Sequence, residues 1–207
     1  MKTILFAFLL AIASLSLVSC DKDTNAQLTN DPVPELTADE ISDLIFTREE
    51  EKLARDVYLY AFDQYGQNIF KNIAASEQKH MDRMGELIEE YNLDDPVTVD
   101  TRGVFQNEAL LALYQALTAQ ADASLSAALA VGATIEDLDI RDLNVAIART
   151  TQEDIRTAYE MLRCGSGNHM RGFVGQLEQQ GGTYTPQYLN AEDYQIIIEG
   201  SHEHCGQ

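Results

Sequence analysis

Apolar residues recur along most of this chain at steps of three and four, the period of helices that bury one face. Strand-like alternation is almost lacking, and no proline falls between Pro96 and Pro186, a stretch rich in Ala and Leu. Local signals divide the pattern. Thr37-Ala38-Asp39-Glu40 and Thr47-Arg48-Glu49-Glu50 both fit capping boxes. They predict a short helix over about 38–46 and a first long helix over about 48–64, ended by Gly66. A second long helix is expected over about 68–91, followed by a loop through Asp94-Asp95-Pro96 to Gly103. A linking helix over 107–119 leads to a third long helix over about 124–140. Thr150-Thr151-Gln152-Glu153 fits another capping box and predicts a fourth, stopped near Gln179 by Gly181-Gly182. Asn190 suits the cap of a last short helix ending near Ile198. The whole predicts an all-α four-helix bundle with one crossover connection and short extra helices.

The stripes are interrupted in a repeated way. On the second helix Glu77 and His80 fall among Ile73, Met84, Leu87 and Ile88, and their spacing of three puts them on one face. On the fourth, His169 falls among Tyr159, Leu162 and Phe173. The third carries Glu136 and Asp139 in its stripe, and the first carries Glu51 between Leu44 and Tyr58. Each long helix therefore directs at least one acid or imidazole inward. An unpaired buried carboxylate costs several kcal/mol and several together repel, a problem that bound cations remove. Oxygen and imidazole donors in this ratio suit iron or manganese, and thiolate-rich zinc sites do not match. Single pieces have plainer readings. A lone E-x-x-H is usually solvated or salt-bridged, and His169 alone reads equally as a hydrogen-bonded core histidine. Tyr58 and Tyr159 read as core, and Glu49 and Glu50 are expected to face water. The coincidence of inward donors on four helices favours a metal site at Glu51, Glu77, His80, Glu136, Asp139 and His169.

Charge and termini add the compartment. The 34 acids and 14 bases leave a formal charge of −20, which repels nucleic acid and excludes it as a partner. Met1-Lys2 and the uncharged apolar run from Thr3 to Val18 read as a signal peptide over residues 1–19. Leu17-Val18-Ser19-Cys20 resembles the lipobox of bacterial lipoproteins, which implies acylation of Cys20 and anchoring to a bacterial membrane at the cell envelope. Residues 20–35 read as a tether, 36–198 as the bundle and 199–207 as a polar tail. In that compartment Cys164 and Cys205 have the option of a disulfide, but their separation in space is not legible. His202-Glu203-His204-Cys205 reads either as a polar end or as an accessory copper or zinc site.

Several motifs also carry a family resemblance. Glu51-Lys52-Leu53-Ala54-Arg55-Asp56-Val57-Tyr58 resembles the first-helix E-x-x-A-R-x-x-Y of rubrerythrins. Glu77 to His80 resembles the second-helix E-x-x-H of ferritin-like proteins, and Glu136 to Asp139 their third-helix E-x-x-E with Asp in the last place. In order, the stretches 49–58, 74–81, 131–140 and 165–173 resemble the uncharacterised family called domain of unknown function 2202. The resemblance covers about residues 36–198 and implies a ferritin-like bundle with a di-iron carboxylate site. One position departs from it. Ser166-Gly167-Asn168-His169 has Ser where a full site has Glu, which leaves one ion or two with a more open shell. Gly165 and Gly167 beside it cost about 1 kcal/mol each in helix propensity. They imply either close helix packing or space beside the metal.

Three functions follow as expectations. The first is a redox metalloprotein in which iron meets oxygen or peroxide; Tyr58 and Tyr159 would be supporting donors or packing groups, and a separate electron donor would be needed. The second is an envelope protein that captures metal without turnover. The third is a metal-free structural lipoprotein whose inward acids pair with Arg55, Arg83 and Arg163. Monomer and homodimer both remain open.

Overall fold

A computed structural model describes residues 35–206 of the protein. The expected signal peptide, Cys20 and nearly all of the tether lie outside the described residues. Among those described there are six helices and no strand: α1 (Ala38–Tyr65), α2 (Asn68–Glu90), α3 (Glu108–Ala121), α4 (Leu125–Arg149), α5 (Glu153–Gln179) and α6 (Ala191–Glu199). None is long and apolar enough to cross a membrane.

The ends obey local chemistry. Thr37 caps α1 in a complete capping box with Glu40, and Gly66 closes it in the left-handed region at φ 65°. Asn107, Ser124 and Asn190 cap α3, α4 and α6 through their side chains. Three expectations need correction. No break separates 38–46 from 48–64: Leu44, Thr47, Glu51 and Ala54 keep one buried stripe in register, and Thr47 is buried within the helix rather than capping it. The third long helix runs on to Arg149 because Leu143 and Ala146 prolong its buried face beyond Ile140. Thr150 ends that helix instead of opening the next, and Gln152 starts α5 without a side-chain cap.

Packing follows from two apolar clusters with a polar layer between them. One holds Leu53, Val57, Phe70, Ile73, Ile135, Met170 and Phe173; the other holds Leu44, Met84, Leu87, Leu143, Ile155 and Leu162. Helices α1 and α5 run from the second cluster to the first, whereas α2 and α4 run from the first to the second. Helices α2 and α4 thus point the same way, and the connection between them must travel the length of the bundle. That connection carries α3, which packs on α1 and α4. The crossover expected from the sequence is therefore a consequence of helix direction.

Candidate metal centre

The layer between the clusters contains every inward donor expected from the sequence. Glu51 from α1, Glu77 and His80 from α2, Glu136 and Asp139 from α4, and His169 from α5 are all buried. Two groups share Glu77. In each, the donor atoms lie within 4.8 Å of one another: Glu51, Glu77 and His80 form one, and Glu77, Glu136 and His169 the other. His80 Nδ1 lies 2.7 Å from Glu77 Oε2 and 3.2 Å from Glu51 Oε2. His169 Nδ1 lies 2.8 Å from Glu77 Oε1 and 3.6 Å from Glu136 Oε2. The two imidazoles stack with centroids 5.6 Å apart.

These groups satisfy one another only in part: His80 hydrogen-bonds Glu51 Oε2, but other atoms are left over. Glu51 Oε1, Glu77 Oε1, Asp139 Oδ1 and His169 Nδ1 are buried and have no hydrogen-bond partner. The 2.8 Å approach of His169 to Glu77 thus lacks hydrogen-bond geometry. Buried polar atoms are nearly always paired, so four orphaned donors in one layer are exceptional. Arg55, Arg83 and Arg163 do not relieve them. Arg55 binds Asp56 and Asp100, Arg83 binds Glu86, and Arg163 donates to Asn144.

Protonation in the metal-free chain records the same crowding. Burial pushes the Glu51 carboxyl up to about 7, against the pull of His80. Burial, with Glu51 and Glu136 as like charges, holds Asp139 well above the usual carboxylate range. Burial and Glu77 raise Glu136. Burial would raise Glu77 too, but His169 and His80 hold it below its ordinary value. Burial would lower both histidines, yet Glu51 and Glu77 raise His80 and the Glu77–Glu136 pair raises His169 to about 10.

The supporting residues resolve several alternatives. Tyr58 donates its hydroxyl to Glu136, whereas Tyr159 packs in the second apolar cluster with its hydroxyl unpartnered. Ser166 is buried and donates to Asp139 Oδ2, so the fourth-helix position does face the centre. Gly165 serves close packing: a Cβ there would stand 2.8 Å from His80 Cε1 and Nε2. Gly167 has no such constraint, with nothing nearer than 3.8 Å to a built Cβ.

Glu49 and Glu50 do not face water. They are 3% and 2% exposed: the crossover covers Glu49, whereas Glu50 lies in a cleft against Ile135, Glu136 and Asp139 of α4. Glu49 accepts from the backbone N–H groups of Gln106 and Asn107 and pins the crossover to α1. Glu50 has no partner for either oxygen. Its signal was present in the chain, since Leu53, Ala54, Val57 and Ala61 prolong a second buried row from it.

The last residues return to the bundle. Cys164 and Cys205 form a disulfide, and Asn168 exchanges hydrogen bonds with the backbone of Glu203. Tail residues 202–206 close one side of a cavity of about 590 Å³ whose inner wall includes His80, Gly165 and His169. The outer edges of the two imidazoles thus border a space roofed by His202 and His204. No group of three metal-competent donors forms in the tail among the described residues.

Comparison with other proteins agrees with this architecture. The chain is 51% identical over 172 residues to an uncharacterized protein, MJ0754, of Methanocaldococcus jannaschii, covering 83% of this chain and 93% of that protein. The crystal structure of hypothetical protein MJ0754 superposes with a TM-score of 0.82 at 51% identity, over 83% of this chain and 98% of that one. Residues 40–201 match the uncharacterized protein domain DUF2202, a span that includes all four long helices and every central donor, and the chain belongs to that family.

Proposed function

We propose that this chain is a ferritin-like metalloprotein in which Glu51, Glu77, His80, Glu136, Asp139 and His169 would hold iron, two ions or one, with Glu77 belonging to both donor groups. The observation that carries this reading is the set of orphaned donors: four buried oxygen and nitrogen atoms from four helices, with no arginine or lysine among them. Oxygen and imidazole donors suit iron, and manganese fits the same set. The cysteines of the described region are bound to each other and contribute no thiolate.

Iron held there would supply one-electron chemistry toward oxygen or peroxide. The chain's own residues orient and insulate it. Tyr58 fixes Glu136 by hydrogen bonding, Ser166 fixes Asp139, and packing of Gly165 fixes the His80 ring. The two apolar clusters cover both ends of the layer, and a cavity borders His80 and His169 on one side. Electrons for a sustained cycle would have to come from a separate donor. Lipid on Cys20 would hold the protein at the cell envelope, and Cys20→Ala should abolish lipid labelling.

Elemental analysis of the purified full-length protein tests metal binding. Oxygen consumption on adding ferrous ion separates an oxidoreductase from a protein that only captures metal. Protein that takes up neither iron nor manganese would remove both and leave the structural lipoprotein.

A further inference from the structure

We propose that Glu50 is a further ligand of this centre, adding a carboxylate beside Glu51 for a divalent first-row cation. The inference rests on the metal reading above and extends its donor set.

Glu50 lines a closed cleft together with Glu51, Glu77, Glu136 and Asp139, at the heart of the polar layer. It is 2% exposed, and both of its oxygens lack a hydrogen-bond partner. No lysine, arginine or histidine nitrogen among the described residues comes within 4.0 Å of it. Arg141 lies within electrostatic range, but its guanidinium is engaged with Asp142. The other groups facing Glu50 are acids: Asp139, Asp142 and Glu51.

A buried carboxylate with that surrounding receives no N–H or O–H donor. Its neighbour Glu49 shows the contrast, since both Glu49 oxygens receive backbone N–H groups. Glu50 comes from the same helix turn and receives none. The two donor groups sharing Glu77 supply three residues each, whereas oxygen-rich sites for iron or manganese favour about six donors. Glu50 and Asp139 stand outside both groups and border the same cleft, so each is placed to fill a vacant coordination position.

The test uses full-length wild type, Glu50→Gln and Glu50→Asp, stripped with chelator and reloaded anaerobically with Fe(II) or with Mn(II) alone. Bound ions per chain are counted after gel filtration, and affinity is read by competition with a chromophoric chelator. Wild type should hold two ions. Glu50→Gln should hold one, or hold the second at least about tenfold more weakly. Glu50→Asp, which keeps the charge but withdraws it by one methylene, should fall between. Thermal midpoints give a second readout. Glu50→Gln should melt above wild type when both are metal-free and gain less than wild type on loading, whereas a structural carboxylate would make it melt lower in both states. If Glu50→Gln retains two ions at wild-type affinity, this assignment is overturned while the metal reading stands. If wild type takes up no metal, both fall together.

Discussion

Two sets of carboxylates are buried in this protein, and what faces them differs. Glu40, Glu49, Asp56 and Asp137 lie under loops and accept from backbone N–H groups: Thr37 and Thr151, Gln106 and Asn107, Gly103, and Gln187 through Leu189 respectively. Each ties a connection to a helix. Glu50, Glu51, Glu77 and Asp139 lie between the helices, and each has at least one oxygen with no partner. Burial is the same for both sets, so burial alone does not distinguish a structural acid from a candidate ligand. The discriminating property is whether the surroundings supply donors. An acid that receives N–H groups is a fastening, whereas one left with an unpartnered oxygen among other acids stores a repulsion that a cation would relieve.

The largest expected effect lies in the first set. Asp137→Ala strands three backbone N–H groups and the Tyr184 hydroxyl, and should lower stability by about 3–5 kcal/mol in urea titration of the metal-free protein. A loss below about 1 kcal/mol would break the distinction. Folded Asp137→Ala should still load metal, because Asp137 is turned toward the 184–189 loop and away from the centre.

Metal removal should act through the second set alone. Loading wild type at one hundred times Kd should add about 2.7 kcal/mol, and chelator should reverse it. Glu77→Ala should show no such increment in paired melting curves, since Glu77 belongs to both donor groups. An equal increment in the variant would place the bound ion elsewhere.

Asp139→Asn should change stability in the opposite direction from Asp137→Ala. In the metal-free chain the folded Asp139 carboxyl sits well above its ordinary value. A group raised on folding binds more protons in the folded than in the unfolded state, so its contribution falls as pH rises past about 4. Replacing it should therefore stabilise the metal-free protein by about 1–2 kcal/mol at neutral pH and by nothing at pH 3. A variant less stable than wild type at neutral pH would assign Asp139 to the fastening set.

Glu40→Gln should give the smallest change, about 1 kcal/mol, as expected for loss of a capping carboxylate. Burial would raise Glu40, but hydrogen bonds from Thr37 and Thr151 hold it at about 2. Its contribution is complete above the unfolded value near 4.5 and is lost as pH falls through 2. The stability gap between variant and wild type should therefore close on acidification, in contrast to the Asp139 gap, which opens as pH rises from 3.

Much of the fold was legible in the chain. Steps of three and four marked the four long helices, and Thr37, Gly66 and Asn190 marked ends that the structure shares. The break at Thr47 failed because a capping-box pattern says only that a cap is available there. Continuous burial of Leu44, Thr47 and Glu51 makes an unbroken α1 the better packed alternative. The meeting of Glu51, Glu77, His80, Glu136, Asp139 and His169 was readable because each interrupts an apolar stripe at a helical spacing.

By itself, then, the sequence determined the helical period, most helix ends and the donors that interrupt the stripes, since these depend on residues within one or two turns of each other. Tertiary structure alone decided the employment of Glu49 and Glu50, and of Cys164 with Cys205. A helical wheel assumes one wet face, but the crossover and α3 cover α1 so fully that every residue from Glu49 to Tyr58 is buried. Which of those residues is fastened, and which is left facing other acids, depends on backbone groups more than fifty positions away at Gln106 and Asn107. The disulfide likewise closes 41 residues of chain. Contacts at such separations follow from how the helices pack, which no local pattern encodes.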